Sequence, residues 1–389
     1  VTEFNTKHPH RILVTGARAP AALHIARLLT DAGCHVFMSD TLRWPFSNGS
    51  RACIQYYRFR SPVEDWERFC FDIVQLINDN SITHVIPTCE EVFHLARLWK
   101  DLKPTASLFA PKVSTLLNAH NKLSFIQRAA DLGLEVPDTR LLLSPDDIQK
   151  SDHTRVLKPI WSRFAEKVFI QPNSPDLQKI KPSAAAPWIS QEFLEGEEIC
   201  AFAFAKDGNT LGISAYHPLY RAGKGAAIYF KPVATEIVAP FVQTYIEGEN
   251  WTGQISFDLI RMKDGKILPL ECNPRSTSGI HFFRDPTSFC STFLCNEQDG
   301  PEADLSISQS VPLAMLSYGL VEAIRRRKFR HWISDLQNSR SAMKWPNDAI
   351  PIWRQFLTIM EFTLRSLHNG TSLLEATTSD IKWDGDPKK

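Results

Sequence analysis

Residues 11–15 (RILVT) form a short β-type run, GARAP turns the chain, AALHIARLLTDAG carries helical periodicity up to Gly33, and CHVFMSD resumes as a strand. Strand, helix and strand within about thirty residues is the span that two parallel strands and their crossover helix require. A further helical stretch, DWERFCFDIVQLINDN, leads into the buried strand THVIPTC. Such an opening commits the first hundred or so residues to a doubly wound α/β layer. GARAPA stands where a dinucleotide fingerprint would, but it has a single Gly where G-x-G-x-x-G needs three. Asp40 ends the second strand, a lone acid that does not by itself make a ribose site, so NAD is not expected.

The pattern changes after Asn118. NKLSFIQRAADLGLEVPDT reads as an amphipathic helix with a Gly stop, and TRVLKPI as a short strand carrying a lysine. Residues 172–187 mix Pro, Ser and Ala and read as a loop. WISQEFLEGEEICAFAFAKDG and GNTLGISAYHPLY are strand-rich and meet at Asp207-Gly208; ISFDLIRM and KILPLECN alternate around Lys263-Asp264-Gly265. Past about residue 300 the chain reads as mainly helical.

The 389 residues, 43% apolar and 22% charged, have an ordinary globular composition with room for several cores. A net charge of +1 argues against nucleic-acid binding through a strongly basic surface. Arg325-Arg326-Arg327-Lys328, beside Phe329 and Trp332, reads as a solvated helix face with a packed edge. No run approaches the ~18 apolar residues of a spanning helix, and VTEFNTKHPH lacks a signal-peptide core. A soluble cytoplasmic protein with no membrane partner is expected. The eight cysteines are scattered without a CxxC pair, which excludes common metal-ligand spacings and a disulfide framework.

The chemistry concentrates in LPLECNPRSTSGI. Glu271 and Asn273 are two apart, so in an extended strand they share a face. Asp258 lies in the preceding strand, across the Lys-Asp-Gly turn, and antiparallel pairing brings it near them, although the register is open at this level. Three oxygen-bearing side chains at a strand end suit Mg²⁺; the alternative is a hairpin whose polar residues face water. Lys158 ends an otherwise apolar strand, and a buried lysine needs an anion. A phosphate would serve, since lysine acts as a compact point charge. In SQEFLEGEEI the segment alternates and turns at Gly196. Its backbone can bond an adenine edge, with Gln191 or Glu192 at the amine and Glu198 at ribose hydroxyls; a plain acidic surface strand is the alternative.

In this order the segments resemble the ATP-grasp superfamily over about residues 10 to 285. Its pattern has a small α/β domain, a lysine opening a helix that ends G-x-x-x-P, and a strand lysine. A Q/E-E-[FYW]-[LI]-x-G-x-E hinge and a paired D…E-x-N strand motif follow. Here these are Lys122, Gly133 and Pro137, then Lys158, QEFLEGEE, and Asp258, Glu271 and Asn273. The resemblance implies a multidomain α/β and α+β chain. A Rossmann-like domain (1–112) would precede a small (113–186) and a large (187–299) ATP-grasp subdomain, and a mainly helical segment (300–389) would cap the active site or form a homodimer contact.

The resemblance also implies roles. Lys122 and Lys158 would hold the α and β phosphates of ATP. Gln191 would meet the adenine amine, with the Glu192 and Leu194 backbones on the adenine edge and Glu198 on ribose. Asp258, Glu271 and Asn273 would ligate Mg²⁺ (or Mn²⁺), and Arg275, in the E-x-N-P-R form, would stabilise the transferring phosphoryl group or bind the acid. The implied chemistry joins a small acid to an amine with release of ADP and phosphate. Two departures stand out. The loop after Lys158, SRFAEKV, has no Gly, which leaves Ser162 and Arg163 to contribute side-chain contacts or the grip to loosen. A second candidate lid, YRAGKGAAIYF, offers Gly223, Gly225, Lys224 and Arg221, the last as a substrate or phosphate ligand. His217 and His281 flank the site as acid–base candidates, and Cys272 should point to the opposite face of its strand. GARAPAALHIARLL, VIPTCEEVF and ECNPRSTSGIHFF look like a narrower group of biosynthetic ligases. A non-catalytic ATP-binding scaffold is the reading from another class.

Overall fold

Strand β1 (Arg11–Thr15) lies at the centre of a parallel sheet, with β2 (His35–Asp40) on one side and β4 (His84–Ile86) on the other. With β3 (Gln55–Arg58) and β5 (Ser107–Leu108) the order is β3-β2-β1-β4-β5. Helices α1 (Pro20–Asp31), α2 (Trp66–Asp79) and α3 (Glu91–Leu102) make the connections. Pro20 begins α1, where its missing N–H costs nothing, and Asp65 caps α2 by accepting from the Arg68 N–H. This computed structural model describes residues 9–162, 167–223, 225–294 and 300–385.

The strand order reverses between β1 and β4, and the crevice outside the carboxyl ends of such strands is the usual ligand site. Here the chain's own residues 377–383 cross it. Arg18, in the loop after β1, donates to the Thr377 carbonyl at 2.8 Å and to Asp380 at 2.7 Å, while also binding Asp40. Ser61 donates to the Asp380 carbonyl, and Trp383 is buried against Phe93. Asp40 is therefore committed to Arg18 rather than free for a ribose.

Helices α4 (Val113–His120) and α5 (Lys122–Asp131) lead to a four-stranded sheet, β6-β9-β7-β8. Its strands are β6 (Thr139–Leu142), β7 (Arg155–Pro159), β8 (Phe169–Ile170) and β9 (Trp188–Glu192). The stretch read as loop contains a short helix, α6 (Ser174–Leu177), capped by Asn173.

The largest sheet has the order β14-β13-β10-β11-β12-β15-β16. It comprises β10 (Gly196–Lys206), β11 (Asn209–Ala222), β12 (Ala226–Val233), β13 (Gly253–Met262), β14 (Ile267–Asn273), β15 (Gln309–Ser310) and β16 (Arg340–Ser341), with α7 (Ala239–Gly248) across one face. Asp207 and Gly208 both take positive φ, the tight hairpin turn their sequence predicts. The period of two sorts β10 cleanly. Ile199, Ala201, Ala203 and Ala205 pack under α5 and α7 with Phe257 and Cys272. Phe202 and Phe204 turn the other way, against α1. Glu198 and Cys200 share that second parity, so the face packed on the N-terminal domain runs out into a polar site.

Beyond α8 (Pro286–Leu294), β15 and β16 extend this sheet, so the last segment is not purely helical. Its helices are α9 (Pro312–Ala314), a π-helical turn (Met315–Gly319), α10 (Leu320–Arg325), α11 (Phe329–Gln337), α12 (Ile352–Asn369) and α13 (Leu373–Ala376). Among the described residues no helix is long and apolar enough to cross a membrane.

Candidate active site

The register between β13 and β14 sets Asp258 directly opposite Glu271, and Ser256 opposite Asn273. Asn273 Nδ2 donates to Asp258 Oδ2 at 3.4 Å, and Arg275 donates to Asn273 Oδ1 at 3.2 Å. The four side chains form one row, and Cys272 between them is buried on the other face, as its parity requires. Two lysines reach this row from outside the hairpin. Asn121 caps α5 by accepting from the Leu123 and Ser124 N–H groups, which fixes Lys122 at the first helical position. Lys122 is 3% exposed; its ammonium lies 3.1 Å from Glu271 Oε2 and donates to the Ser162 carbonyl at 3.0 Å. Lys158, on β7 and 5% exposed, donates to the Leu270 carbonyl at 3.0 Å.

The stretch between the two sheets is the expected hinge. Gln191 is 1% exposed; its Nε2 donates to Thr139 Oγ1 at 3.1 Å, and its Oε1 is buried without a partner. The Glu192 N–H is spent on the Asp138 carbonyl at 2.8 Å, and the Leu194 side chain is buried with Ile260 and Leu268. Glu198 forms an ion pair with Arg221, whose guanidinium also donates to the Gly225 carbonyl at 2.6 Å. Arg221 is thus held by Glu198, and the charge of Asp258 also acts on it.

No family model matches the chain, and no curated protein matches it. Among solved structures, N5-carboxyaminoimidazole ribonucleotide synthetase in complex with ADP aligns with a TM-score of 0.62 at 13% identity, over 82% of this chain and 86% of that one. N5-carboxyaminoimidazole synthetase from Staphylococcus aureus, complexed with ADP, gives 0.61 at 11% identity over 83% and 88%. L-amino acid ligase from Bacillus licheniformis gives 0.56 at 15% identity, over 70% of this chain and 68% of that one. The chain has the ATP-grasp fold.

Within this fold the charges of the row are unevenly satisfied. Burial works against Glu271, but Lys122 and Lys158 hold its carboxyl well below the usual range. Burial, then the Glu271 and Glu198 charges, push Asp258 up. Burial pushes Lys158 down to about 8, helped by Lys122 and opposed by Glu271 and Asp258. An anionic excess at Asp258 is what a cation would relieve. Among the described residues no cluster of three His, Cys, Asp or Glu could hold a metal. Two carboxylates and one amide are oxygen donors, a set that fits a hard cation taking its remaining oxygens from water or phosphate, as Mg²⁺ does.

The sequence reading missed Cys200, whose thiol donates to Asp258 Oδ1 at 3.1 Å. Its signal was the two-residue step from Glu198 along β10. His281 does not serve the site: it is buried edge-on to His24 at 4.9 Å, and burial with the charges of Arg284 and Arg27 pushes it down to about 3. His217 Nδ1 lies 2.7 Å from the Glu198 carbonyl oxygen, a hinge contact. Arg163 and Lys224 lie outside the described residues. Beyond Arg221 opens a cavity of about 900 Å³, lined by Val168, Ile170, Tyr318, Val321 and Arg325 among others. It shares only Arg221 with the groups described above.

Proposed function

We propose that the chain is a Mg·ATP-dependent carbon–nitrogen ligase that phosphorylates a carboxylate, or a vinylogous acid, and joins it to an amine with release of ADP and phosphate. The reading rests on one observation: two buried lysines, one at the start of α5 and one on β7, converge on a hairpin of two carboxylates and an amide, Lys122 at 3.1 Å from Glu271. Lys122 and Lys158 hold the α and β phosphates. Gln191 Oε1, buried and unpartnered, accepts from the adenine amine, with the Glu192 carbonyl and the Leu194 backbone along the ring edge. Glu198 turns from Arg221 to the ribose hydroxyls, which frees Arg221 for substrate. Asp258, Glu271 and Asn273 would hold one or two Mg²⁺ ions, which supply charge neutralisation across the β and γ phosphates.

Arg275, kept beside Asn273, faces the transferring phosphoryl group or the acid. The acid oxygen attacks the γ phosphorus, the bond to the bridging oxygen breaks and ADP departs. The amine nitrogen then attacks the activated carbon, phosphate leaves with its oxygen, and the nitrogen sheds a proton. No protein nucleophile is needed, because phosphoryl transfer asks mainly for positioning and charge. The neighbouring cavity is where the acid and amine would enter. A cytoplasmic location goes with this reading. The finer reading takes 4-deoxygadusol as the vinylogous acid and glycine as the amine, the pair joined by mycosporine-glycine synthase, to which the segment SLLEATTSDIKWDGDP is similar.

The test is ADP and phosphate release with Mg·ATP across a grid of acids and amines that includes 4-deoxygadusol with glycine, with the adduct followed by mass spectrometry. Release that requires one acid and one amine is expected. AMP and pyrophosphate as products would overturn the acyl-phosphate route, and ATP binding that no pair converts into ADP release would favour a regulator or scaffold.

A further inference from the structure

Helix α12 meets the rest of the molecule through its polar side. Glu361 accepts from the Arg43 and Trp44 N–H groups, Arg365 pairs with Glu361 and Asp380, and Thr358 donates to the Trp44 carbonyl. Its buried residues are Thr358, Glu361 and Phe362. The opposite side is apolar and faces outward: Phe356 is 54% exposed, Leu364 54% and Leu367 74%, with Trp353 and Met360 in the same row. A surface helix ordinarily does the reverse, apolar side in and charged side out. Rolling α12 to bury the row would break the Glu361 and Arg365 contacts, so the row stays outside.

The row is symmetric along the chain. Trp353, Phe356, Met360, Leu364 and Leu367 are spaced three, four, four and three residues apart, with Met360 in the middle. Laid antiparallel on a second α12 about a two-fold axis through Met360, the row meets itself: Trp353 opposite Leu367, Phe356 opposite Leu364, Met360 opposite Met360. Spacings of three and four keep the row on one side of the helix, and a self-complementary patch is what a two-fold contact needs. None of the five carries a charge. With Ile352 and Ile359 at its flank, the row exposes on the order of 800 Å², the area each partner contributes to a standard-size interface. A lipid surface fits less well, because a membrane-lying helix offers basic residues beside its apolar face, whereas the polar side of α12 is turned into the protein.

We propose that a second copy of this chain covers the row, α12 against α12 in a two-fold homodimer. Sedimentation equilibrium of the full chain is expected to give twice the mass of one chain, and Phe356→Glu with Leu364→Glu is expected to give the monomer with an unchanged circular-dichroism spectrum. Met360→Cys should form an oxidised cross-link to its own counterpart above the background of the parent chain. Trp353→Cys should not, since its counterpart lies about 20 Å away along the helix at 1.5 Å per residue. A parent chain that stays monomeric at all concentrations overturns the proposal. So does a dimer in which Met360→Cys fails to cross-link, because another face then holds it. A monomer that floats with phosphatidylcholine–phosphatidylserine vesicles, and loses this in the double variant, would assign the row to a membrane instead.

Discussion

The Lys122 ammonium lies 3.1 Å from the Glu271 carboxylate, and the two groups reach each other from the first turn of α5 and the end of β14. Each is a counter-ion of the other. In the proposed function a polyphosphate would compete for the lysine and a cation for the carboxylate. The geometry of the pair is held from both sides, by the Asn121 cap and by the Asp258–Glu271 register.

Glu271→Gln keeps the shape and removes the charge. The expected loss is at least ~3 kcal/mol of transition-state stabilisation, on the order of a hundredfold in turnover. Steady-state ADP release measures it; unchanged turnover would remove Glu271 from the metal set.

On the proposed function Lys158 would give the nucleotide site its own pH dependence. Burial pushes the ammonium down to about 8, whereas a bound phosphate favours the charged form. Below that pH, ATP meets a lysine already protonated; above it, binding must draw a proton from solution. Affinity is expected to be flat on the acid side and to weaken by up to about tenfold per pH unit on the alkaline side. Lys158→Arg should flatten the profile. Titration calorimetry in buffers of different ionisation heat would detect the proton uptake, and its absence would take Lys158 out of contact with the phosphates.

Asp380 ties residues 377–383 to the N-terminal domain through Arg18 and to α12 through Arg365. Burial opposes its ionisation, but the two guanidinium groups hold it well below the usual carboxylate range. A depressed carboxyl contributes stability in full above its unfolded-state pKa of about 4, and loses it as the pH falls toward the lower folded-state value. Asp380→Asn is expected to cost roughly 1–3 kcal/mol at neutral pH, because it takes a charged acceptor from two guanidinium groups, leaving Arg18 to Asp40 and Arg365 to Glu361. It should also make the loss of stability in acid shallower. Urea denaturation at neutral and acid pH measures both.

Gly196 begins β10 at the hinge. A Cβ there would lie 2.3 Å from the Arg261 carbonyl oxygen and 3.0 Å from its carbon, both backbone atoms that cannot swing aside. Gly196→Ala is expected to destabilise by roughly 1–3 kcal/mol and to raise KM for ATP several-fold by displacing Leu194 and Glu198. An unaltered KM with a normal melting curve would mean that the strand pair slides to accept the methyl.

What could be read from the sequence was local. Glu271 and Asn273 share a face because they are two apart, Asp207-Gly208 and Gly265 announce their turns, and Asn121 with Lys122 marks a helix start. Groups brought together by pairing of distant segments show in the sequence at most the face of their own strand, not their partner. Cys200 reaches Asp258 only through the β10–β13 register, and Arg221 reaches Glu198 only because β11 folds back along β10. Strands β15 and β16 are too short to show a period of two. The apolar row of α12 is visible in the sequence, but its outward direction is set by where Glu361 finds the Arg43 and Trp44 N–H groups.

Arg18 and Asp380 bond across 362 positions of the chain. At a synthesis rate of about 5–20 residues per second, the parallel sheet leaves the ribosome tens of seconds before residues 377–383 exist to cross it. For that interval the nascent domain has an open crevice, with Arg18 served by Asp40 and Thr41. Nascent chains released before Asp380 should therefore be preferred targets for proteolysis at the loops after β1 and β2, and protection there should appear only when the last segment docks.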